Sequence, residues 1–188
     1  MKSERGFTMI ELLIASMLSV LVLVLIGGML INSLSSERVV RNATAASNAG
    51  QLVAKSVTKA VRNASNINLT EPVPGEQLLM VRTAGASDDA GAFKCQAWYF
   101  APGEVRMKIS STAILAPTPA QLATWTLVGD GIEQVAGAPI LTRNPVDGKK
   151  IDIKLNAVSG DGAPVLINTS TVSRQPAPTS AEAPICFP

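Results

Sequence analysis

The stretch Gly6-Phe7-Thr8-Met9-Ile10-Glu11-Leu12-Leu13 opens a run that carries no charge and no proline from Leu12 through Ile31. Roughly 20 apolar or small residues at about 1.5 Å rise per residue match the ~30 Å hydrocarbon thickness of a bilayer, so the run predicts a membrane-spanning helix. What precedes it is short and polar: Met1-Lys2-Ser3-Glu4-Arg5-Gly6. A secretory signal places its small-residue cleavage site after the apolar core, so that cutting frees the rest of the chain. Here the small residue, Gly6, stands ahead of the apolar core, and a cut between Gly6 and Phe7 leaves the hydrophobic segment attached as an anchor.

Lys2 and Arg5 stand on the N-terminal side of the run, whereas Glu37 and Arg38 begin its far side. Positive flanks stay in the cytoplasm, so the leader is expected inside and everything after about Asn32 outside. Glu11 is the exception in an otherwise greasy neighbourhood. A carboxylate beside a membrane helix is costly, and such a residue is a functional candidate with a cationic partner expected. The bland alternative is that Glu11 marks the boundary of an uncleaved anchor, its side chain reaching the headgroups.

The block Gly6 through Leu13 closely resembles the type III signal of type IV prepilins. The resemblance implies that a membrane aspartyl prepilin peptidase cuts after Gly6 and methylates the new amine of Phe7. It further implies that Glu11 is the acidic residue near the start of the mature helix, and that Thr8 and Met9 fall at tolerated positions. The amine freed at Phe7, in the same chain or on the preceding subunit, is then the natural counter-charge for Glu11, and in low dielectric that pairing is strong enough to set subunit register. The partners so implied are the peptidase, other pilins in a filament, the inner-membrane assembly platform, and membrane lipid before assembly. Many pilins carry a proline in the membrane half; this chain has Gly27-Gly28 instead, a place where the helix can loosen or where helices can pack closely.

No proline occurs from Met1 to Glu71. Apolar or small residues recur at Ala45, Ala49, Leu52, Ala60 and Ala64, with Val53, Val57 and Val61 alongside, while Lys55, Lys59 and Arg62 fall elsewhere. This is a helical period, and it predicts one helix from about Phe7 to about Asn66, ended by the Asn-rich stretch and by Pro72 and Pro74. Four segments follow: a leader over 1–6, a membrane and assembly helix over 7–31, its amphipathic continuation over 32–66, and a β-rich head over 67–188. In the head, strands are expected over 77–83, 93–101, 105–110, 125–128, 151–157 and 165–172. Pro102-Gly103, Asp130-Gly131, Asp147-Gly148 and Asp161-Gly162 read as turns, and Gln175 to Pro184 as an extended strap. Alternation in Lys94 to Phe100 and in Lys150 to Leu155 gives each strand one face for the helix and one for solvent. The fold class is therefore α+β, a long N-terminal helix laid by its second half on an antiparallel sheet, which is what the pilin resemblance also implies. Gln51-Leu52-Val53, Ala60 to Ala64 and Val165 to Arg174 resemble the minor pilins related to J-type pseudopilins of type II secretion.

The two cysteines, Cys95 and Cys186, both follow the apolar run, so they share one side of the membrane. Outside the cytoplasm a disulfide between them is favoured over two buried thiols. The chain has no histidine, which removes the usual neutral-pH base, the common zinc ligand and every histidine-containing triad. A net charge of +2, evenly spread, gives no basic surface for nucleic acid. No cofactor, metal or catalytic residue is expected. Asp130, Asp147 and Asp161 read as turn residues rather than calcium ligands, and Trp98, Tyr99 and Trp125 as core. Beside a filament subunit, a single-pass membrane-anchored binding domain explains the anchor alone, and an anchored enzyme explains none of the N-terminal detail.

Overall fold

A computed structural model describes residues 8–84, 93–176 and 186–187. The chain divides into two compact units, Met1–Arg41 and Asn42–Pro188. A single helix, α1, runs over Met9–Arg62. It is long and apolar enough to cross a membrane, and none of that apolar window is buried within the protein. A Cβ added at Gly27 or Gly28 would meet nothing within 4 Å.

The second unit is an antiparallel sheet of eight strands: β1 (Ala64–Val73), β2 (Glu76–Ala84), β3 (Phe93–Ala101), β4 (Gly103–Ser110), β5 (Thr126–Gln134), β6 (Leu141–Arg143), β7 (Lys150–Ala157) and β8 (Val165–Val172). Spatial order is β1-β2-β3-β4-β5-β7-β6, with β8 on the other side of β7. One short helix, α2 (Pro119–Leu122), lies between β4 and β5. This is the α+β layout of the pilin fold. Every strand expected from the alternation exists, and two were missed. β1 occupies the Asn-rich stretch read as a stop and includes Pro72; Asn weakens the β signal, and proline is tolerated there because β1 is an edge strand. The helix accordingly ends at Arg62 rather than near Asn66, and the tight turn to β2 is made by Pro74 and Gly75, whose φ is 84°. β6 is three residues long, too short to show a period.

Side-chain bonds between strands distant in that order show that the sheet curls. Gln77 on β2 donates to Leu141 O and accepts from Leu141 N on β6, both at 2.8 Å. At the opposite rim, Ser173 Oγ donates to Ala64 O, and Arg174 N donates to Arg62 O at 3.1 Å. The C-terminal half of α1 fills the trough so formed. Its buried stripe is Ala46, Gly50, Val53, Ala54, Val57, Ala60 and Val61. It meets Ile132, Ile151, Ile153 and Leu155 from the sheet. The expected Ala45 and Leu52 are exposed, Leu52 by 56%. The expected Val53, Val57, Ala60, Val61 and Ala64 are buried; nearer the middle of α1 the stripe runs through Ala46 and Gly50 instead, because the smallest residue sets the closest approach: a Cβ at Gly50 would sit 2.4 Å from Ile167 Cδ1 and 3.0 Å from the Ala157 Cβ.

Asp130-Gly131 does not end a strand. It lies within β5, where Gly131 at φ 66° lets the strand leave β4 and join β7. Gly131 O accepts from Val158 N at 2.7 Å, and a Cβ there would fall 2.0 Å from Val158 O, so any side chain is excluded by backbone as well as by φ.

Candidate functional site

The first described turn of α1 carries the candidate assembly acid. Glu11 N and Leu12 N donate to Thr8 O at 3.1 and 3.2 Å, which makes Thr8 the residue that opens the helix. Glu11 stands in the first turn, where the N–H ends of the helix favour a negative charge. Its carboxylate is exposed and accepts a long 3.5 Å contact from Thr8 Oγ1. Gly6 and Phe7, read as flanking the cut, lie outside the described residues. From Met9 to Ile31 every large apolar side chain of α1 is about half exposed or more. That surface is unstable in water and stable only in lipid or against other helices.

Cys95 and Cys186 are joined as a disulfide, their Cα atoms 5.3 Å apart and 91 residues apart in sequence. The bond belongs to a second apolar layer on the face of β2 and β3 that turns away from α1. Leu78, Met80, Ala97 and Tyr99 supply it from the sheet, and Ile114, Trp125, Cys186 and Phe187 cover it. This corrects the expectation that the second face of these strands meets solvent: Ile114 N donates to Cys186 O at 3.3 Å, so the tail and the loop before α2 are stitched over the strand. Alternation shows which residues share a face but not whether a distant segment covers it. For β7 the expectation holds, with Ile151, Ile153 and Leu155 buried and Lys154 outward. Gln175 is the start of the predicted strap, most of which lies outside the described residues.

The aromatic residues are core, as expected. Trp98 is 1% exposed on the α1 side, where its Nε1 donates to Ser56 Oγ at 3.1 Å. Tyr99 and Trp125 meet edge to face at 6.5 Å in the second layer. The Tyr99 hydroxyl donates to the Glu76 carboxylate, and burial, then that hydrogen bond and the Glu76 charge, push the phenol up to about 12. The chain has one tyrosine, so phenolate absorbance reports this site alone. It is expected to titrate in the folded protein well above the ordinary 10.0, near 12. The sign follows from linkage: the raised value means that stability is fully present below pH 10 and is lost as pH climbs through about 12. An ordinary midpoint in the folded protein would contradict the buried, Glu76-bound phenol.

The Asp-Gly pairs do not converge on a common site. Asp130 Oδ1 accepts from Gly131 N at 2.9 Å, and beside Asp147 the turn is held by Asn144 Oδ1, which accepts from Val146 N and Asp147 N. Among the described residues no group of three or more His, Cys, Asp or Glu is placed to hold a metal.

Residues 1–27 match the family described as the prokaryotic N-terminal methylation motif, a match that covers the leader, Glu11 and most of the apolar run. No curated protein and no solved structure gives a significant match to the chain. With the motif running from the leader into a long exposed apolar helix, and a curled antiparallel head following, the N-terminal segment of this chain carries the type IV prepilin signature.

Proposed function

We propose that the chain is a structural subunit, not an enzyme, and serves as a minor pilin of a type IV pilus or as a J-like pseudopilin of a type II secretion filament. It is inserted with its leader in the cytoplasm and its head outside, cleaved after Gly6 and N-methylated at Phe7. It then leaves the bilayer to stack helix on helix with other pilins at the assembly platform. Glu11 pairs with an N-terminal amine, which fixes the axial register. The observation that carries this reading is the methylation motif placed directly on the exposed apolar half of α1. Leu34, Val39 and Val40, also exposed on α1 past the run, extend a greasy surface beyond bilayer length, which suits packing against other helices.

Mass spectrometry of the protein from cells holding the peptidase is expected to find N-methylated Phe7 as the first residue. An intact Met1 terminus would exclude the filament reading and leave the single-pass anchored binding domain. In sheared filaments the subunit is expected as a trace component, and a dominant share would make it the major pilin instead.

A further inference from the structure

Two edge strands of the curled sheet, β1 and β8, differ. β1 is blunted: it contains Glu71 and Pro72, and its pairing with β2 is broken by irregularities between Ala64 and Asn66 and between Thr70 and Val73. β8 has none of these protections. Its sequence Val165-Leu-Ile-Asn-Thr-Ser-Thr-Val172 holds no charge and no proline, and its register with β7 is unbroken over all eight residues. Exposed edges are usually guarded against added strands by charge, proline or bulges.

The direction of the open hydrogen bonds follows from one contact. Ser173 N donates to Lys149 O at 3.0 Å, in step with the β7 to β8 register, so residues 165, 167, 169 and 171 turn their N–H and C=O groups toward β7. Leu166, Asn168, Ser170 and Val172 turn theirs outward. The next in that outward series is Arg174, and its N–H is taken by Arg62 O at the end of α1. Beside this edge runs a groove of about 620 Å³, with Lys55, Lys59 and Arg62 on its helix wall and Ile167, Thr169 and Arg174 on its strand wall. Among the described residues no acidic side chain lines it and none of the ion pairs uses these four cations. Lys59 and Arg62 are explained in part by the carbonyl end of α1, but Lys55 and Arg174 are not in that last turn.

The two walls run side by side. Gly50 abuts Ile167 and Arg62 meets Arg174, so about 18 Å of helix is matched by about 23 Å of strand in the same direction. Lys55 and Lys59 stand one turn apart, about 6 Å of rise, close to the roughly 6.6 Å between alternate side chains of a strand. We propose that this groove docks an extended acidic segment of another polypeptide, which adds to the edge of β8 that no described strand pairs, and sets carboxylates at alternate positions against Lys55, Lys59, Arg62 and Arg174. Main-chain bonds give the affinity and the cation row the selectivity. The groove lies wholly within the second unit, Asn42–Pro188, so the proposal does not depend on filament assembly.

The test uses the full chain in detergent micelles and a synthetic peptide alternating Asp with Val or Thr, followed by fluorescence anisotropy. Binding is expected to weaken with salt, and by roughly tenfold or more in the Lys55→Glu, Lys59→Glu double variant. Residue-resolved hydrogen exchange is expected to slow at Leu166, Asn168, Ser170 and Val172 when peptide is bound. Ser170→Pro removes an outward donor without touching the β7 ladder, a position where an edge tolerates proline, and is expected to abolish binding. Should that variant not fold, the same peptide N-methylated at alternate amides serves, and it is expected not to bind. Equal binding of the N-methylated peptide, or a single-stranded oligonucleotide binding as tightly with those four amides unprotected, would overturn the proposal in favour of a plain anion groove.

Discussion

Glu11→Ala is expected to leave cleavage after Gly6 and folding of the head intact, and to remove the subunit from filaments. The head has its own core and disulfide, and Glu11 is an exposed residue in the first turn of α1 that contributes to neither. In the proposed filament the same carboxylate is taken out of water and meets a methylated amine. Removing one partner of a desolvated pair costs about 3–5 kcal/mol, because the other charge stays buried without compensation. That corresponds to more than a hundredfold loss of incorporation. Thr8→Ala supplies the control: it deletes the local 3.5 Å contact without touching the intersubunit pair. Immunoblots of sheared filaments are expected to show Thr8→Ala present and Glu11→Ala absent. Normal incorporation of Glu11→Ala would end the register argument, and equal loss in both variants would reassign Glu11 to capping the helix.

The second large effect lies in the head. Cys95→Ser, Cys186→Ser and the double variant are each expected to lower the thermal midpoint of the head by a similar amount. The bond spans 91 residues, and the chain-entropy cost it removes from the unfolded state is roughly 4–5 kcal/mol. For a unit of this size that is a fall of roughly 10–15 °C. The loss has a structural side as well. Cys186 and Phe187 lie over Leu78, Met80 and Tyr99, and once released they expose the second apolar layer. Reductant is expected to reproduce the shift in the natural sequence and to leave the double variant unmoved. An unchanged midpoint under full reduction would mean that packing by Ile114 and Trp125 holds the layer by itself.

Some of this molecule was legible because the signal was local. The run from Leu12 to Ile31 needs only its own composition to declare a bilayer-length helix, and Gly6, Phe7 and Glu11 form a compact block whose spacing carries the prepilin signal. The strands β2, β3, β4, β7 and β8 were readable from period-two alternation between turn pairs. Where the signal depended on a distant partner, the reading slipped. The Asn-rich β1 is a strand because β2 pairs with it, the buried stripe of α1 is set by where Gly50 admits Ile167, and Asp130-Gly131 bends through a strand because β7 waits on the other side.

What the sequence determined by itself is the order of a prepilin-type motif, a membrane-length helix and a β-rich domain, since the motif is a compact block and the other two follow from hydrophobicity and periodicity among neighbouring residues. Only the tertiary structure decided that the sheet curls around α1, that the tail closes a second layer through Cys95 and Cys186, and that no described strand pairs with the outer edge of β8 beside four cations. Those features arise from which surfaces meet across tens of residues, and no local pattern encodes that meeting.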